Sequence, residues 1–243
     1  SLFAFLSQLI RLLTNFFLFV GIARFYGPEA FGRFTTAHTL STVFLLFADF
    51  GFDMLLSTEI AQQKERSVEL AKKYFSLKLL FVSGATIAML IMSLFRNFSP
   101  ETTLLVQVFA FYIFFSSLNN FFFAFFKGYE QFQHETRITF GINALLLVFL
   151  IIFGLLHVSL IVIAVFFVGT RLIGLFIATN LASRDMNFHV LDFDMHGWRE
   201  VWKNVSVYGL QYIFGNLYFT IDTVLLAFWK NDREVGIYQS VFK

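Results

Sequence analysis

The chain has 243 residues, of which 58% are hydrophobic and 14% are charged, with a formal net charge of +2. Soluble domains contain about a quarter charged residues, so this composition excludes an ordinary soluble domain. Cysteine is absent, which excludes disulfides and thiolate metal sites, and no basic cluster resembles a nucleic-acid-binding surface. We therefore predict a polytopic membrane protein whose first partner is the lipid bilayer.

Seven apolar segments and the beginning of an eighth follow one another along the chain. Each is long enough to cross the hydrocarbon core as a helix, which needs about 20 residues, and only helices or closed barrels satisfy their backbone groups there. The uncharged runs are far too long for barrel strands. The fold class is therefore all-α, a membrane helical bundle. The predicted spans cover residues 2–23, 35–57, 74–95, 102–126, 138–157, 158–182 and 205–228, and an eighth begins at 236.

Lysine and arginine are unevenly divided between the two sets of loops. The loops after the even-numbered spans hold ten with their flanks, Lys78 among them, whereas the loops after the odd-numbered spans hold five. The positive-inside rule then places the N-terminus and the even loops in the cytoplasm. We expect a multi-pass protein of the inner (plasma) membrane.

The longest loop contains the sequence "HGWREVWKN". Trp198, Val201 and Trp202 recur at helical spacing, which predicts a short interfacial helix anchored by tryptophans. We expect three parts: a six-helix lobe over 1–182, a cytoplasmic connector over 183–204, and the start of a second lobe over 205–243. The chain is interpreted as a fragment that lacks its start and much of its C-terminal part.

One short polar phrase occurs twice, as "RFYGPEAFGRF" (24–34) and "WKNDREVGIYQ" (229–239). Each follows a span and begins a helix, with Pro28 or Asp232 at the start. Matching Gly32 to Gly236 gives an offset of 204 residues, which aligns span one with span seven. A parallel repeat of six helices explains the offset. The alternative is a chance match between two ordinary helix caps.

Four stretches in chain order carry a resemblance to a known family. These stretches are "ARFYGPEAFGRF" (23–34), "ADFGFDMLLSTEIA" (48–61), "FFKGYEQF" (125–132) and "YFTIDTVLLAFWKNDREVGIYQ" (218–239). Together they resemble Wzx-type polysaccharide-biosynthesis flippases of the multidrug/oligosaccharidyl-lipid/polysaccharide (MOP) superfamily. The resemblance implies about twelve to fourteen helices in two lobes that rock about a central cavity.

The same resemblance implies a cargo. It would be a polyprenyl-diphosphate-linked oligosaccharide repeat unit, destined for O-antigen of lipopolysaccharide, capsule or a related cell-envelope polysaccharide, moved from the cytoplasmic to the outer leaflet. Polysaccharide polymerase and chain-length components would be partners. No cofactor is expected, although coupling to protons or sodium ions is compatible with the acidic residues described below.

Three arginines are candidates for binding the diphosphate. Ionisable residues inside a membrane cost at least ~2.5–3.5 kcal/mol and need a reason. Arg171 lies near the middle of span six. Arg11 shares a helical face with Gln8 and Asn15, and Arg24 would lie at the outer rim. Arginine binds phosphate through paired hydrogen bonds. Alternatively, Arg11 snorkels to the cytoplasmic interface and Arg171 pairs with a buried acid.

Acidic and polar residues share a face of span two. His38 is expected to line the cavity, and Asp49 and Asp53 are four residues apart, so their charges repel unless a proton or cation intervenes. They are candidates for a coupling-ion or proton site, or for partners of Arg11 and Arg171. The alternative is that this turn packs near the cytoplasmic side and Asp53 reaches the headgroups.

Span seven and the asparagines supply further polar candidates. Gln211 and Asp222 share one face, and Asp222 would form either an interlobe gate or a fixed structural contact. Asn119, Asn120 and Asn143 could bind sugars, but the preferred interpretation is that they join helices by hydrogen bonds.

Three other functions are alternatives to the flippase. A peptidoglycan-precursor (lipid II) flippase shares the diphosphate cargo, and an ion-coupled multidrug antiporter shares the fold but would favour acidic cavity residues. A membrane polymerase or ligase would need a large outer loop, which the chain lacks. Walker A, GxSxG, HExxH and GxGxxG motifs are also absent from the sequence, so we predict that the protein is not an enzyme.

Overall fold

The computed structural model describes residues 2–96, 98–186, 198–217, 221–230 and 232–242. Every regular element in these ranges is helical. The α-helices are α1 (Leu2–Asp49), α2 (Phe52–Gln62), α3 (Ser67–Phe95), α4 (Pro100–Gly128), α5 (Phe132–Leu155), α6 (Leu160–Met186), α7 (Trp198–Leu217), α8 (Ile221–Trp229) and α9 (Asp232–Phe242), with a 3₁₀ turn at Lys64–Arg66.

Five of the helices are long and apolar enough to cross a membrane: α1, α3, α4, α5 and α6. Helix α1 contains two of the predicted spans, because Gly27 (φ 81°, ψ 176°) interrupts its 48 residues. The two halves fold back on each other, and Phe19 contacts Phe34 and His38 across the hairpin. A left-handed φ suits glycine, and Pro28 restarts the helix, as the sequence predicts. The all-α, multi-pass membrane architecture is confirmed.

A second break divides predicted span two. Phe50 (φ 35°) and Gly51 (φ 74°) both have positive φ and separate α1 from α2. The ring of Phe50 is stacked 5.5 Å from Phe81 and 5.5 Å from Trp202 of α7. The break therefore turns α2 away from the axis of α1 at a point where α3 and α7 both pack.

Contacts between loops place them at two ends of the bundle. Between the loops after spans two and four, Lys64 Nζ lies 3.7 Å from Glu130 Oε1. At the opposite end Arg33 pairs with Glu101, and Arg96 donates to the backbone oxygen of Phe228. The loops after spans two and four thus share one end of the bundle, the even-loop end, and the loops after spans one and three share the other, the odd-loop end.

Helix α4 forms the centre of the six-span bundle. It is the most buried of the five long helices, and its phenylalanines contribute to both apolar clusters. One cluster surrounds Phe121, Phe122 and Phe125 towards the even-loop end, and the other surrounds Phe109 towards the odd-loop end. The many phenylalanines thus pack the core or face lipid.

The tryptophans of the connector lie in α7. Trp198 begins this helix, which continues to Leu217 without a break. Trp198, Val201 and Trp202 therefore belong to the first turns of span seven rather than to an interfacial helix of their own. The rest of the predicted connector up to residue 197 lies largely outside the described residues.

The two matched glycines of the repeated phrase meet in space. A Cβ on Gly236 of α9 would lie 2.5 Å from the backbone oxygen of Pro28 and 3.2 Å from the Cα of Gly32. No side chain fits at that distance, so glycine permits the approach of α9 to α1.

Candidate functional site

A polar cavity of about 200 Å³ lies within the bundle, between α1, α4, α5 and α6. We call it the amide cavity because four asparagines line it. Its lining residues are Arg11, Asn15, Leu45, Tyr112, Ser116, Asn119, Asn120, Phe123, Thr139, Ile142, Asn143 and Arg171. The structure therefore brings Arg11, Asn15 and Arg171 together from spans one and six, and three further asparagines line the same cavity.

Arg171 reaches the amide cavity without a counter-charge. None of the residues that the structure describes hydrogen-bonds or ion-pairs with its guanidinium, and its Nε is buried and unpartnered. The rings of Phe167 and Tyr112 hold the group instead, with Cζ 5.2 Å and 5.8 Å from their centroids. Asn119 donates to the Arg171 backbone oxygen at 2.7 Å. The alternative of a pairing with a buried acid finds no such acid in the described part of the chain.

Arg11, on the opposite wall, is neutralised. Its guanidinium donates to Glu135 Oε1 at 2.6 Å, and it lies over the ring of Phe123 at 5.6 Å. Glu135 is buried and also pairs with Lys127 Nζ at 3.1 Å. A carboxylate between two cations orients both, so Arg11 points into the cavity without being a free charge.

A second cavity, of about 270 Å³, adjoins the first. Arg11, Asn120 and Phe123 line both. We call the second one the mixed-charge cavity. Its other lining residues are Asp49, Asp53, Met54, Ser57, Ala124, Lys127, Glu135 and Tyr212.

Asp49 and Asp53 share one cationic partner, Lys78. Its ammonium lies 3.2 Å from Asp49 Oδ1 and also hydrogen-bonds Asp53. Ser117 donates to Asp49 at 2.5 Å and Asn120 at 2.9 Å. Asp49 is thus fully hydrogen-bonded, while Asp53 borders the cavity with one cationic partner. The prediction that these acids pair with Arg11 or Arg171 is wrong.

Lys78 is the principal residue that the sequence analysis missed. The charge pattern groups Lys78 with the flank of a loop, but its side chain is fully buried. The sequence does indicate that Lys78 is buried, because it lies within the apolar run "SLKLLFV" (76–82), beyond the cluster at Lys72 and Lys73. A lone lysine so far inside a span needs an acid, and span two offered two without a partner.

The remaining predicted site residues do not line either cavity. Gln8 and Gln211 are exposed on the outside of the bundle, and Arg24 is exposed at the odd-loop end. His38 is buried in the odd-loop cluster, 5.5 Å from the ring of Phe19. Asp222 accepts a hydrogen bond from Tyr238 at 2.5 Å, which links α8 to α9.

The charges around the two cavities divide simply. Asp49 and Asp53 share Lys78, and Glu135 lies between Arg11 and Lys127, so three acids are balanced by three cations in total. Arg171 is the remaining formal charge, and it faces the amide cavity. Within the described residues, no group of three or more histidines and carboxylates is placed to hold a metal ion. The arrangement as a whole is therefore suited to an anionic group at Arg171, bordered by amides and hydroxyls.

Two solved structures share this fold. One is a MOP superfamily transporter from Pyrococcus furiosus, described as having a binding pocket of reverse polarity that suggests a different function. It superposes on this chain with a TM-score of 0.71 at 17% sequence identity, and the match covers 89% of this chain and 51% of that one. The other is the outward-facing conformation of a multidrug resistance MATE family transporter of the MOP superfamily. Its TM-score is 0.70 at 20% sequence identity, and the match covers 98% of this chain and 56% of that one. The chain thus spans about half the length of either structure.

Sequence comparison identifies the family. No curated protein sequence matches the chain. The profile of the family described as polysaccharide biosynthesis protein matches residues 1–243, the whole chain. The fold is that of MOP superfamily transporters, in agreement with the resemblance noted from the motifs. The chain belongs to the polysaccharide biosynthesis protein family.

Proposed function

We propose that this protein is a flippase that moves a polyprenyl-diphosphate-linked oligosaccharide from the cytoplasmic to the outer leaflet of the inner membrane. The observation that supports the proposal is Arg171, a guanidinium without a counter-charge that faces a polar cavity inside an apolar bundle. A buried cation without an acid is costly unless an anion compensates it. The chain's membership of a polysaccharide biosynthesis family supports a lipid-linked diphosphate as that anion.

The two cavities form a polar region of the right extent for such a headgroup. On α4 they are lined from Lys127, near the even-loop end, to Tyr112. Fifteen helical residues correspond to roughly 22 Å at 1.5 Å per residue. Sugars and phosphate cannot cross hydrocarbon unaided, whereas the lipid tail remains in the bilayer. Rocking of two lobes would then expose this region to each side in turn.

The functional test is export in a strain whose own flippase gene is deleted. Arg171→Ala and Arg171→Glu in the natural protein should abolish surface display of the repeat unit at unchanged protein level, because the diphosphate loses its cation. The matched control is Arg24→Ala, which removes an arginine that lines neither cavity and should export normally. Normal export by both Arg171 variants would refute the cationic site.

The rival cargoes are separated by phenotype. A lipid II flippase would make depletion lethal through failed wall synthesis, whereas loss of a surface-polysaccharide flippase leaves the wall intact. A multidrug antiporter would need acids available for a cationic drug, and Asp49 is already bonded to Lys78, Ser117 and Asn120. Drug sensitivity without a glycan defect after deletion would favour the antiporter.

A further inference from the structure

A groove on the outside of the bundle runs between α5 and α6 and is charged at one end. Its volume is about 470 Å³, and we call it the α5–α6 groove. His134 and Arg137 line its mouth at the even-loop end, and the rest of its lining consists of Gly141 and aliphatic side chains of both helices. A cationic mouth that continues into an apolar slot has the same division into polar and apolar parts as a phospholipid.

The groove is about as long as one bilayer leaflet is thick. On α5, Leu145 follows His134 by eleven residues, and on α6, Arg184 follows Ile173 by eleven residues. Either interval corresponds to roughly 16 Å at 1.5 Å per residue. Half of a hydrocarbon core of about 30 Å is about 15 Å. An acyl chain of one leaflet therefore fits along the groove when its headgroup lies at the even-loop end.

Two arginines at this end are without a protein partner. Arg137 is exposed on α5, and Arg184 is exposed in the last turn of α6, on the same helical face as Ile177 of the groove lining. Neither side chain makes an ion pair or a hydrogen bond within the part of the chain that the structure describes. Asp185 lies 3.8 Å from His134 Nε2, so this acid faces the histidine. The mouth thus has two arginines available to an anion.

The groove is open to the outside of the bundle and lies away from the second lobe. The described helices of that lobe, α7, α8 and α9, pack mainly on α1, α2 and α3. Ile173 and Ile177, on the α6 side of the groove, are 43% and 40% exposed. A Cβ added to Gly141 would meet no atom within 4 Å. A chain can therefore enter the groove directly from the surrounding bilayer.

We propose that the α5–α6 groove binds one anionic phospholipid of the leaflet at the even-loop end, with its phosphate at Arg137 and Arg184 and one acyl chain along the apolar lining. Basic pockets between transmembrane helices attract anionic headgroups, and arginine binds phosphate through paired hydrogen bonds. A zwitterionic phospholipid fits less well, because its ammonium group is repelled by the two arginines. This inference does not rest on the proposed function.

The bound chain would also support the wall of the amide cavity. Ile142 lines the α5–α6 groove on one side and the amide cavity on the other. A Cβ on the neighbouring Gly174 of α6 would lie 3.5 Å from two methyl groups of Ile142, so this side chain fills the space between the helices. An acyl chain in the groove would pack against Ile142 from the lipid side.

The test is photo-crosslinking of lipids to the natural protein in nanodiscs. The probes are phosphatidylglycerol and phosphatidylethanolamine that carry the same diazirine-bearing acyl chain, and mass spectrometry locates the labelled peptides. Phosphatidylglycerol should label residues 138–145 and 173–181 at least about tenfold more than phosphatidylethanolamine does, since each arginine near an anionic headgroup favours it by about fivefold. Arg137→Gln should reduce this preference by about fivefold, and the double variant with Arg184→Gln should abolish it.

Glycine substitutions test the groove itself. Gly141→Leu fills open space with a residue that favours helix, so the variant should keep its unfolding midpoint and lose labelling of the groove by both lipids. Gly84→Leu is the matched control, because a Cβ there also meets no atom within 4 Å but borders a separate groove between α1 and α3. Arg24→Gln removes an exposed arginine at the odd-loop end. Both controls should keep the preference for phosphatidylglycerol.

Several results would overturn the inference. Equal labelling of the groove by the two phospholipids would show that ordinary bilayer lipid covers it. Unchanged labelling in Gly141→Leu would place the lipid elsewhere. Displacement of phosphatidylglycerol from the groove by an equal amount of undecaprenyl diphosphate would assign the groove to the proposed cargo. The flippase proposal is tested separately, by export.

Discussion

Arg11 and Arg171 line the same cavity from opposite walls, yet their surroundings differ in kind. Glu135 lies 2.6 Å from the guanidinium of Arg11 and also pairs with Lys127. The guanidinium of Arg171 lies over two aromatic rings, 5.8 and 5.2 Å from their centroids, and pairs with no acid within the described residues. The even-loop half of the polar region is therefore internally neutral, whereas the middle of the bundle carries one uncompensated charge.

This difference separates charges that stabilise the fold from a charge kept for a ligand. When one partner of a buried ion pair is removed, the other is left uncompensated and the fold loses stability. When an unpaired buried cation is removed, no partner is left behind. Substitutions at a paired charge should therefore lower stability most, whereas substitutions at Arg171 should lower transport most and change stability little.

The largest effect is expected at Lys78. Lys78→Leu leaves Asp49 and Asp53 without their cation and should destabilise the protein by about 3–5 kcal/mol. At about 2–4 °C per kcal/mol, the unfolding midpoint in detergent should fall by roughly 6–20 °C. Lys73→Ala is the control, because its pair with Glu69 is partly exposed and should matter by less than ~1 kcal/mol. Adding Asp53→Asn to Lys78→Leu should recover part of the loss; equal midpoints for Lys78→Leu and Lys73→Ala would contradict the prediction.

A smaller loss is expected at Glu135. Glu135→Gln leaves Arg11 and Lys127 without their acid, but these side chains are 34% and 38% exposed and water compensates them. We expect about 1–2 kcal/mol of destabilisation. Because the variant frees Arg11, it should also bind bare undecaprenyl diphosphate severalfold more tightly than wild type. Unchanged affinity would show that Arg11 does not contact the lipid's diphosphate.

Arg171 should affect stability little and transport completely. Arg171→Met loses the cation–π contacts, which contribute about 0.5–2 kcal/mol. It also removes the free-energy cost of keeping a charged guanidinium away from water, and this gain offsets the loss. The midpoint should stay within a few degrees of wild type while export disappears. Arg171→Lys should keep partial export, since a lysine supplies charge without the paired donors. If Arg171→Met lowered the unfolding midpoint as much as Lys78→Leu does, Arg171 would have a structural role instead.

The smallest effect is expected at Arg24. This side chain is exposed at the odd-loop end and lines neither cavity. Arg24→Ala should change stability by less than ~0.5 kcal/mol, measured as the unfolding midpoint. A loss of export at normal stability would return Arg24 to the set of diphosphate ligands.

The sequence predicts the helices well because they depend on residues that are close together in the chain. Long apolar runs need no tertiary information, and the Gly27–Pro28 break follows from the chemistry of two adjacent residues. The depth of Arg171 likewise follows from its place midway along an uncharged span.

The ion pairs could not be predicted in the same way, because they depend on how helices tilt. Arg11 and Glu135 are 124 residues apart in sequence. Lys78 reaches Asp49 and Asp53 where span two breaks at Phe50 and Gly51, whose positive φ values no periodicity reveals. The aromatic enclosure of His38 also arises where three helices meet, because its neighbours Phe19, Phe109 and Phe167 belong to α1, α4 and α6.

The contact between Gly236 and Pro28 has a mechanical consequence. With 2.5 Å between a would-be Cβ and a carbonyl oxygen, α9 and α1 touch backbone to backbone. A gap between these helices at the odd-loop end can open only by parting that seam, and a bulky side chain placed there would act as a wedge. The absence of a side chain at Gly236 therefore determines how closely α9 and α1 can approach at this end.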